Sequence, residues 1–484
     1  MERTVPYTAS EEVELYLRTY YSLLRSTSDV QIRTLEEVHS GTNSLLHPNA
    51  RGETPDLSAF IYGILRLPDC ISQVKTVILG QSTEVFRREG VGDVESWQSV
   101  VARARRRRCY FDGADTLACI IASRSDIDDV VPLLTAYQIE WHKLHRLLRQ
   151  LPSSISLPDI ESSPEAFNGL AAALKMDVED LERLRLVWGE QFISNLAIVA
   201  KSTLKLQIRL LSGTLSEYRR ATHAWWENIE RTLPSVRERP VYFISSNTHS
   251  LVNLVSGFAL QHREVLVRFL QETKDEQLIQ EWQDIQEHNV PSSRENFLYY
   301  VLKKFLQTPQ GARYRQIRSD HERSSGVLRI DSSHYFDVDA QIIELSKVNP
   351  EWIDPRIWYP QFSSLADSDA LILNVDYPLG MAAYNILSEV ATHAGEVLGV
   401  YIMGKAATLN GVIGDVMIPN VIHDEHYRNT FIVPNVFKAA DVAPYLVYGT
   451  VLDNQKAVTV RGTFLQNATY MDVFYREGYT DIEM

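Results

Sequence analysis

Residues 370–404 read ALILNVDYPLGMAAYNILSEVATHAGEVLGVYIMG, and this stretch decides the fold class. It begins with a short, largely apolar run, which is typical of a strand buried on both faces. Asp376 can cap the helix that follows, Pro378 suits its first turn, and Gly395 suits a left-handed stop at its end. Residues 397–403 are predicted to form a second strand. A right-handed crossover then predicts two parallel strands.

The same alternation extends back to about residue 236. Residues 241–246 (VYFISS) and 326–333 (GVLRIDSS) are β-rich runs, and helical patterns follow each of them, at 247–262 and around 339–347. Alternating strands and helices are typical of an α/β sheet. We therefore expect residues 236–484 to form an α/β domain.

The first 235 residues have mainly helical periodicity. We expect a helix at 11–25, a stronger one at 127–151 with Pro132 near its start, and a long helical pattern over 189–232. Residues 151–165 and 235–240 are the best linker candidates. The predicted organisation is a helical region over 1–150, a helical region with a long helix over 151–235, and the α/β domain over 236–484.

Composition limits the function classes. The 484 residues include 45% hydrophobic and 23% charged residues, as in globular proteins, and the net charge is −14. Such a charge repels nucleic acid, so no nucleic-acid partner is expected. The N-terminus has no signal-peptide pattern and no apolar stretch is long enough to span a membrane, so we expect a cytoplasmic protein without a membrane partner. The cysteines, Cys70, Cys109 and Cys119, are expected to be buried free thiols.

One basic run stands against the acidic average. Arg103, Arg105, Arg106, Arg107 and Arg108 precede a short β-rich segment. They form either a solvated helix face or a patch for RNA or membrane contact.

The parallel strands also predict where a ligand would bind. Ligands of such sheets lie beyond the carboxyl ends of the strands. Those ends carry Asn374, Val375 and Asp376 after the first strand and Gly404 and Lys405 after the second.

Residues 403–426, MGKAATLNGVIGDVMIPNVIHDEH, are the most specific segment. A strand enters a turn of small residues, and Gly414 and Asp415 open the next strand. This pattern resembles the nucleoside phosphorylase and nucleosidase superfamily, which includes purine nucleoside phosphorylase and the methylthioadenosine and AMP nucleosidases. Small residues such as Gly404 and Ala406 let a base and its ribose approach the backbone.

Two further segments match in the same order. Residues 458–472 resemble the family's strand that precedes an aromatic stacked on the base, which places Tyr470 in that role. Residues 478–484 resemble the strand with the family's Met-Glu pair, so Met484 corresponds to the Met. The Glu and the family's acid that protonates the base would then lie beyond Met484. We therefore expect the chain to be an incomplete, inactive piece of such a domain.

The resemblance implies binding of a purine nucleoside or nucleotide and cleavage of the base–ribose bond, by water or phosphate, with no cofactor. It also implies a possible homo-oligomer. Implied ligand-binding residues are Asp376, Gly404, Lys405, Ala406, Tyr470 and Met484, and no catalytic residue is assigned. Lys405 either meets a nucleotide phosphate or forms an ion pair, and Arg461 is the less favoured phosphate ligand. The alternatives are a non-catalytic nucleoside sensor and an interaction or scaffold protein.

Three other features have competing interpretations. The run His423, Asp424, Glu425, His426 resembles a metal-ligand cluster, although polar loops carry such residues without a metal, and no metal site is predicted. The turn at 245–250 either cradles an anion or caps a helix. Trp225 and Trp226 are expected to pack the helical region against the α/β domain.

Overall fold

The computed structural model describes residues 7–26, 29–104, 107–153, 155–160, 163–211, 215–273, 275–288, 292–332, 338–378, 380–425 and 427–483. Within these residues the chain forms three β-sheets, and α-helices connect many of their strands. The fold class is therefore mixed α/β, as the sequence predicts.

The first sheet has six strands, and the sequence analysis did not predict it. Its central strands are parallel to one another and its outer strands are antiparallel. In spatial order the strands are β1 (Val30–Gln31), β6 (Gln207–Leu210), β2 (Thr76–Gly80), β5 (Thr116–Ile120), β4 (Cys109–Phe111) and β3 (Gln98–Val100).

Helices predominate around this sheet, as expected for the N-terminal region. They are α1 (Tyr7–Ser26), α2 (Glu36–Gly41), α3 (Leu57–Arg66), α4 (Thr83–Arg88), α5 (Arg124–Leu148), α6 (Pro164–Ala173), α7 (Val178–Trp188) and α8 (Phe192–Lys201). Helix α5 is buried along nearly its whole length. Helices α6, α7 and α8 share one apolar core with α1, α3 and α5. The core is therefore continuous across residue 150, where the sequence analysis placed a boundary.

The long helical pattern expected over 189–232 is wrong in its middle. It consists of α8, the strand β6 and α9 (Leu215–Thr232). Leu206 and Ile208 are buried two residues apart, which is the period of a strand. Pairing with both β2 and β1 outweighs the local helical pattern.

Pro132 lies deeper in its helix than predicted. Helix α5 begins at Arg124, after a capping box formed by Ser123 and Asp126, so Pro132 is in its third turn. A proline has no N–H to donate to the carbonyl four residues earlier, which belongs to Asp128. That carbonyl faces Gly462, where an added Cβ would lie 2.7 Å from its oxygen.

The second sheet has five strands in the spatial order β11 (Glu396–Ile402), β7 (Pro240–Ser246), β10 (Leu371–Asp376), β9 (Ala340–Glu344) and β8 (Val327–Ile330). Strands β11, β7 and β10 are parallel, so the predicted parallel pair is confirmed, with β7 between its members. Trp225 and Trp226 of α9 pack against this sheet, as expected. The other helices are α10 (Ser250–Ser256), α11 (Phe258–Gln261), α12 (Arg263–Glu272), α13 (Glu276–His288), α14 (Ser293–Phe305), α15 (Ala312–Ser324) and α16 (Gly380–His393).

Two local predictions in this part are wrong. The helix expected around 339–347 is the strand β9, whose five residues are all buried between β8 and β10. Gly395 is not left-handed. A glycine is needed there because the backbone of residue 395 passes close to that of Glu238, and a Cβ would lie 2.6 Å from the Glu238 carbonyl carbon.

The third sheet contains the remaining strands of residues 236–484, which therefore do not form a single sheet. Its strands in spatial order are β12 (Ala407–Thr408), β16 (Asp481–Glu483), β15 (Val451–Thr459), β13 (Val416–Asp424) and β14 (Asn429–Ile432), with helices α17 (Ala439–Val442) and α18 (Ala468–Arg476). Strands β13, β15 and β16 are parallel. The strands after residue 370 are thus divided between two sheets, because β12 pairs with β16 instead of extending β11.

Candidate functional site: an arginine cleft

The carboxyl edge of the second sheet gathers several of the residues singled out from the sequence. Asp376 at the end of β10 lies opposite Ser246 of β7, and Ile402 at the end of β11 lies opposite Ser245. The N–H of Met403 donates to the Ser245 carbonyl at 2.9 Å. Asp376 and the turn beginning at Gly404 therefore lie at one edge, on either side of β7.

A buried amide network occupies the middle of this edge. The Asn374 side chain is fully buried and donates to the Gln341 Oε1 at 3.1 Å and to the Asn247 carbonyl at 3.0 Å. Its Oδ1 accepts from the Ser246 hydroxyl at 2.8 Å. These hydrogen bonds fix the strand ends. They also use the Asn374 amide group, which a ligand at this edge would otherwise contact.

In the turn after β7, a side-chain oxygen accepts hydrogen bonds from backbone N–H groups at the start of α10. The Asn247 Oδ1 accepts from the backbone N–H groups of His249, at 3.0 Å, and Ser250, at 2.6 Å. These donors would have formed an anion cradle. Because Asn247 already binds them, the capping interpretation of residues 245–250 fits the structure better.

The small-residue turn is not joined to the predicted stacking aromatic. Gly404, Lys405 and Ala406 are exposed, and a Cβ added to Gly404 would meet nothing within 4 Å. Tyr470 is only 7% exposed and packs in the core of the third sheet, its ring 4.5 Å from that of Phe474. Its ring therefore offers no open face to a base. Met484 lies outside the described residues.

A different site lies between α1, the start of α5 and the carboxyl edge of the third sheet. Four arginines line a cleft of about 620 Å³, which is called the arginine cleft below. Its lining residues are Glu14, Leu17, Arg18, Tyr21, Ser22, Arg25, Arg124 and Arg461. The volume is within the range of small-molecule and cofactor sites.

Local features of the chain explain why each arginine lies at the cleft. The α1 residues Arg18, Ser22 and Arg25 are three or four positions apart and so share one helix face. Arg124 is the first residue of α5. Arg461 follows β15 by two residues, and the neighbouring Gly462 allows that loop to touch the Asp128 carbonyl.

Next to the cleft, a buried carboxylate forms hydrogen bonds with two tyrosine hydroxyl groups. The buried Asp128 accepts from the hydroxyls of Tyr21, at 2.7 Å, and Tyr20. Burial raises the pKa of Asp128, although the two tyrosines and the cations Arg124 and Arg461 oppose that rise. The Arg124 guanidinium lies over the Tyr21 ring, 4.1 Å from its centroid. The stacking and the phenol–carboxylate bonds preorganise Arg124 at the cleft wall.

Glu14 joins the cleft to the turn after β13. It accepts from Arg18 at 2.9 Å and from Arg428 at 3.0 Å. Among the residues that line the cleft it is the one carboxylate, against four guanidinium groups. The lining is therefore cationic in a chain whose net charge is −14.

Glu425 is a titratable neighbour of this edge, at the end of β13. Burial raises its pKa to about 7, with Asp424 adding to the rise and Arg461 and Arg428 opposing it. Its Oε2 is buried without a hydrogen-bond partner. A carboxyl group with a pKa near neutrality can act as a proton donor or acceptor at physiological pH.

Two residues from the other polar runs of the sequence, His423 and Arg107, have structural roles. His423 lies 3.0 Å from the Thr430 hydroxyl and its ring packs on Phe474, while His426 lies outside the described residues. Arg107 is not on a helix face. It is buried between β3 and β4 with Asp126 and Asp129 each 3.1 Å away, and these carboxylates hold its pKa high although burial opposes the charge. Arg105 and Arg106 are outside the described residues.

Sequence reasoning missed the arginine cleft because its residues are far apart in the chain. Arg18, Arg124 and Arg461 are separated by more than a hundred residues at each step. Only the spacing of Arg18, Ser22 and Arg25 on one helix face was visible locally. No motif connects that face to the loop after β15.

Fold and site together define a mixed α/β protein with a small-molecule-sized cationic cleft between its N-terminal helices and its last sheet. The chain belongs to DUF6909, a family of unknown function, whose model matches residues 32–484. No curated protein and no solved structure matches it significantly. Among the described residues, none of the helices is both long enough and apolar enough to cross a bilayer.

Proposed function

We propose that this protein binds a nucleotide, with the phosphate in the arginine cleft. The observation that carries the proposal is the convergence of Arg18, Arg25, Arg124 and Arg461 on one cleft of about 620 Å³. A planar guanidinium presents paired donors that match phosphate oxygens. Binding an anion there offsets the mutual repulsion of these cations, of which Arg18 is already paired with Glu14.

The charge distribution favours a small anion over a polymer. The net charge of −14 repels a long polyanion, whereas a mononucleotide needs only the local field of the cleft. The cleft volume fits a ligand of that size.

The nucleoside part of the proposal rests on the sequence resemblance. Segment 458–472, one of the segments that resemble the nucleosidase family, contributes Arg461 to the cleft. The cleft also lies beyond the carboxyl ends of β13 and β15, the usual ligand position in parallel sheets. The sequence resemblance, rather than the lining of the cleft, is what favours a nucleotide over other phosphorylated small molecules.

A second candidate function is cleavage of the base–ribose bond. Such a reaction requires a proton for the departing base. Glu425, directly after β13, favours this candidate because its pKa is about 7 and it interacts electrostatically with Arg461 of the cleft, although it is not one of the lining residues. In the non-catalytic alternative, a bound nucleotide contacts α1, α5 and the third sheet at once. The resulting change at this junction is the signal that the nucleotide is bound.

The binding proposal is tested by titrating the full chain with AMP, adenosine and inorganic phosphate in a calorimeter. We expect AMP to bind at least about tenfold more tightly than adenosine, because each charge-assisted phosphate contact contributes about 1.5–3 kcal/mol. Arg124→Gln and Arg461→Gln should each weaken AMP binding by a similar factor. Arg183→Gln is the matched control, since Arg183 pairs with Asp180 on the exposed face of α7.

Absence of AMP binding, or binding that is unchanged in both cleft variants, contradicts the proposal. Chromatography of the same mixtures for released adenine separates the two candidates. Release that is lost in Glu425→Gln supports cleavage, and binding without release supports the sensor.

A further inference from the structure

Helices α9 and α16 lie side by side against the second sheet. Trp226 and Ile229 of α9 share a core with Ile386 and Val390 of α16. Just outside this core, Glu389 and His393 are four residues apart on α16 and so share one face. His223 meets them from α9.

The three side chains bring three donor groups together. The His223 Nδ1 lies 2.6 Å from the Glu389 Oε1, and the His393 Nδ1 lies 3.5 Å from the same oxygen. One ligand atom from each residue lies within 4.8 Å of the other two. Donor atoms around a tetrahedral zinc ion are about 3.4 Å apart, because each lies about 2.1 Å from the metal. Placing all three on one ion therefore requires side-chain rotations that close these separations and bring the His393 Nε2, rather than its Nδ1, toward Glu389.

We propose that His223, Glu389 and His393 form a binding site for a divalent transition-metal ion of the zinc type, which joins α9 to α16. Two imidazoles and one carboxylate are a ligand set that zinc prefers, and three protein ligands leave one position for water. The inference is independent of the nucleotide proposal, since no residue is shared with the arginine cleft.

The surrounding hydrogen bonds prepare the ligands. The His393 Nδ1–H donates to the Glu389 carbonyl at 3.0 Å, which leaves the Nε2 lone pair for a metal. On the far side of His223, the Nε2 lies 3.7 Å from the Glu227 carboxylate, so Glu227 orients the ring when Nδ1 binds the ion.

A simple ion pair between His223 and Glu389 is the competing explanation. His393 extends that pair, because its Nδ1 lies 3.5 Å from the same Glu389 oxygen, and the zinc titration decides between the two explanations. The half-exposed His223 and the partly exposed His393 also leave the cluster accessible to an ion from solvent. No sequence pattern indicated this site, because His223 and Glu389 are 166 residues apart.

The test is a zinc titration of the full chain after removal of metals with EDTA, with a chromophoric zinc indicator as competitor. We expect one tight Zn²⁺ per chain, and at least about tenfold weaker binding in His223→Ala, His393→Ala and Glu389→Gln. His288→Ala is the matched control, because His288 also lies on a helix and its Nδ1 bonds to the carbonyl four residues earlier. Its zinc affinity should equal that of the unaltered protein.

A second readout guards against loss of folding in the variants. Co²⁺ added in place of Zn²⁺ should give the visible absorption of tetrahedral coordination, and Glu389→Gln, a nearly isosteric change, should reduce it while circular dichroism stays unchanged. The proposal is wrong if the unaltered protein binds Zn²⁺ no more tightly than His223→Ala, or if His288→Ala causes the same loss.

Discussion

Arg107 and Glu425 are both buried ionisable residues, and the structure gives them opposite surroundings. Arg107 has two carboxylates, Asp126 and Asp129, at 3.1 Å, so its charge is compensated where it is buried. Glu425 has a buried oxygen without a hydrogen-bond partner, and burial raises its pKa to about 7. A buried carboxylate is costly unless it is paired, so Glu425 holds its proton more tightly in the folded state.

This difference predicts a pH-dependent stability. The pKa of Glu425 rises from 4.5 in the unfolded chain to about 7 in the folded one. Its contribution to stability is therefore complete below pH 4.5 and is lost as the pH rises through 7. Glu425→Gln mimics the protonated form and removes this dependence.

From pH 5 to pH 8 the unfolding free energy of the unaltered protein should fall relative to that of Glu425→Gln, by up to about 3 kcal/mol. Urea unfolding of both proteins at the two pH values measures the difference. An equal gap between them at pH 5 and pH 8 would show that Glu425 does not titrate in this range.

At the scale of elements, one close contact fixes how the loop after β15 meets α5. Pro132 frees the Asp128 carbonyl from its helical hydrogen bond, and Gly462 approaches that carbonyl. The contact holds Arg461, the preceding residue, at the arginine cleft.

Gly462→Ala should therefore destabilise the protein by about 1–3 kcal/mol, because the new Cβ would lie 2.7 Å from a backbone oxygen that cannot rotate away. Chemical denaturation measures the loss, and AMP affinity should fall with it if Arg461 is displaced. Gly404→Ala is the matched control for stability, since nothing lies within 4 Å of its Cβ position. A change in unfolding free energy of about 0.5 kcal/mol or less is expected there. Equal stability losses in both variants would contradict this account.

Elements also show where local patterns were sufficient. Local patterns predicted the strands β7 and β10 and the helices α1 and α16. Their segments show hydrophobic periodicity and have capping or turn residues at their ends. Strand β9 was predicted as a helix because its five residues are buried on both faces and lack a period of two. Partners on both sides, not the residues themselves, make it a strand.

On the scale of the whole molecule, apolar side chains are exposed on a surface that includes the edge strand of the third sheet. The edge strand β14 is exposed along its length, with Ile432 82% exposed, and Val436 and Tyr448 beyond it are 77% and 68% exposed. An apolar edge strand favours pairing with another chain. The sequence resemblance implies a homo-oligomer, so we propose that a second copy of this chain covers this surface.

Light scattering after size exclusion should then show a mass of at least twice the 55.3 kDa of one chain. The double variant Ile432→Asp, Val436→Asp should shift that mass to the monomer, because charges buried in a symmetric apolar interface oppose association. Leu186→Asp is a suitable control, since Leu186 is an exposed apolar residue of α7, outside that surface. A monomeric unaltered protein at high concentration would contradict the proposal.

The sequence by itself determined the α/β class, the parallel pair β10 and β11 and the edge at which Asp376 and Gly404 lie, because alternation, capping and short apolar runs act over neighbouring residues. Only the tertiary structure decided that the strands after residue 370 divide between two sheets, that Tyr470 is buried and that Arg18, Arg124 and Arg461 meet. The physical reason is the sequence separation of the interacting residues. Hydrogen-bond pairing between distant strands and the convergence of charges from distant helices leave no periodic trace along the chain.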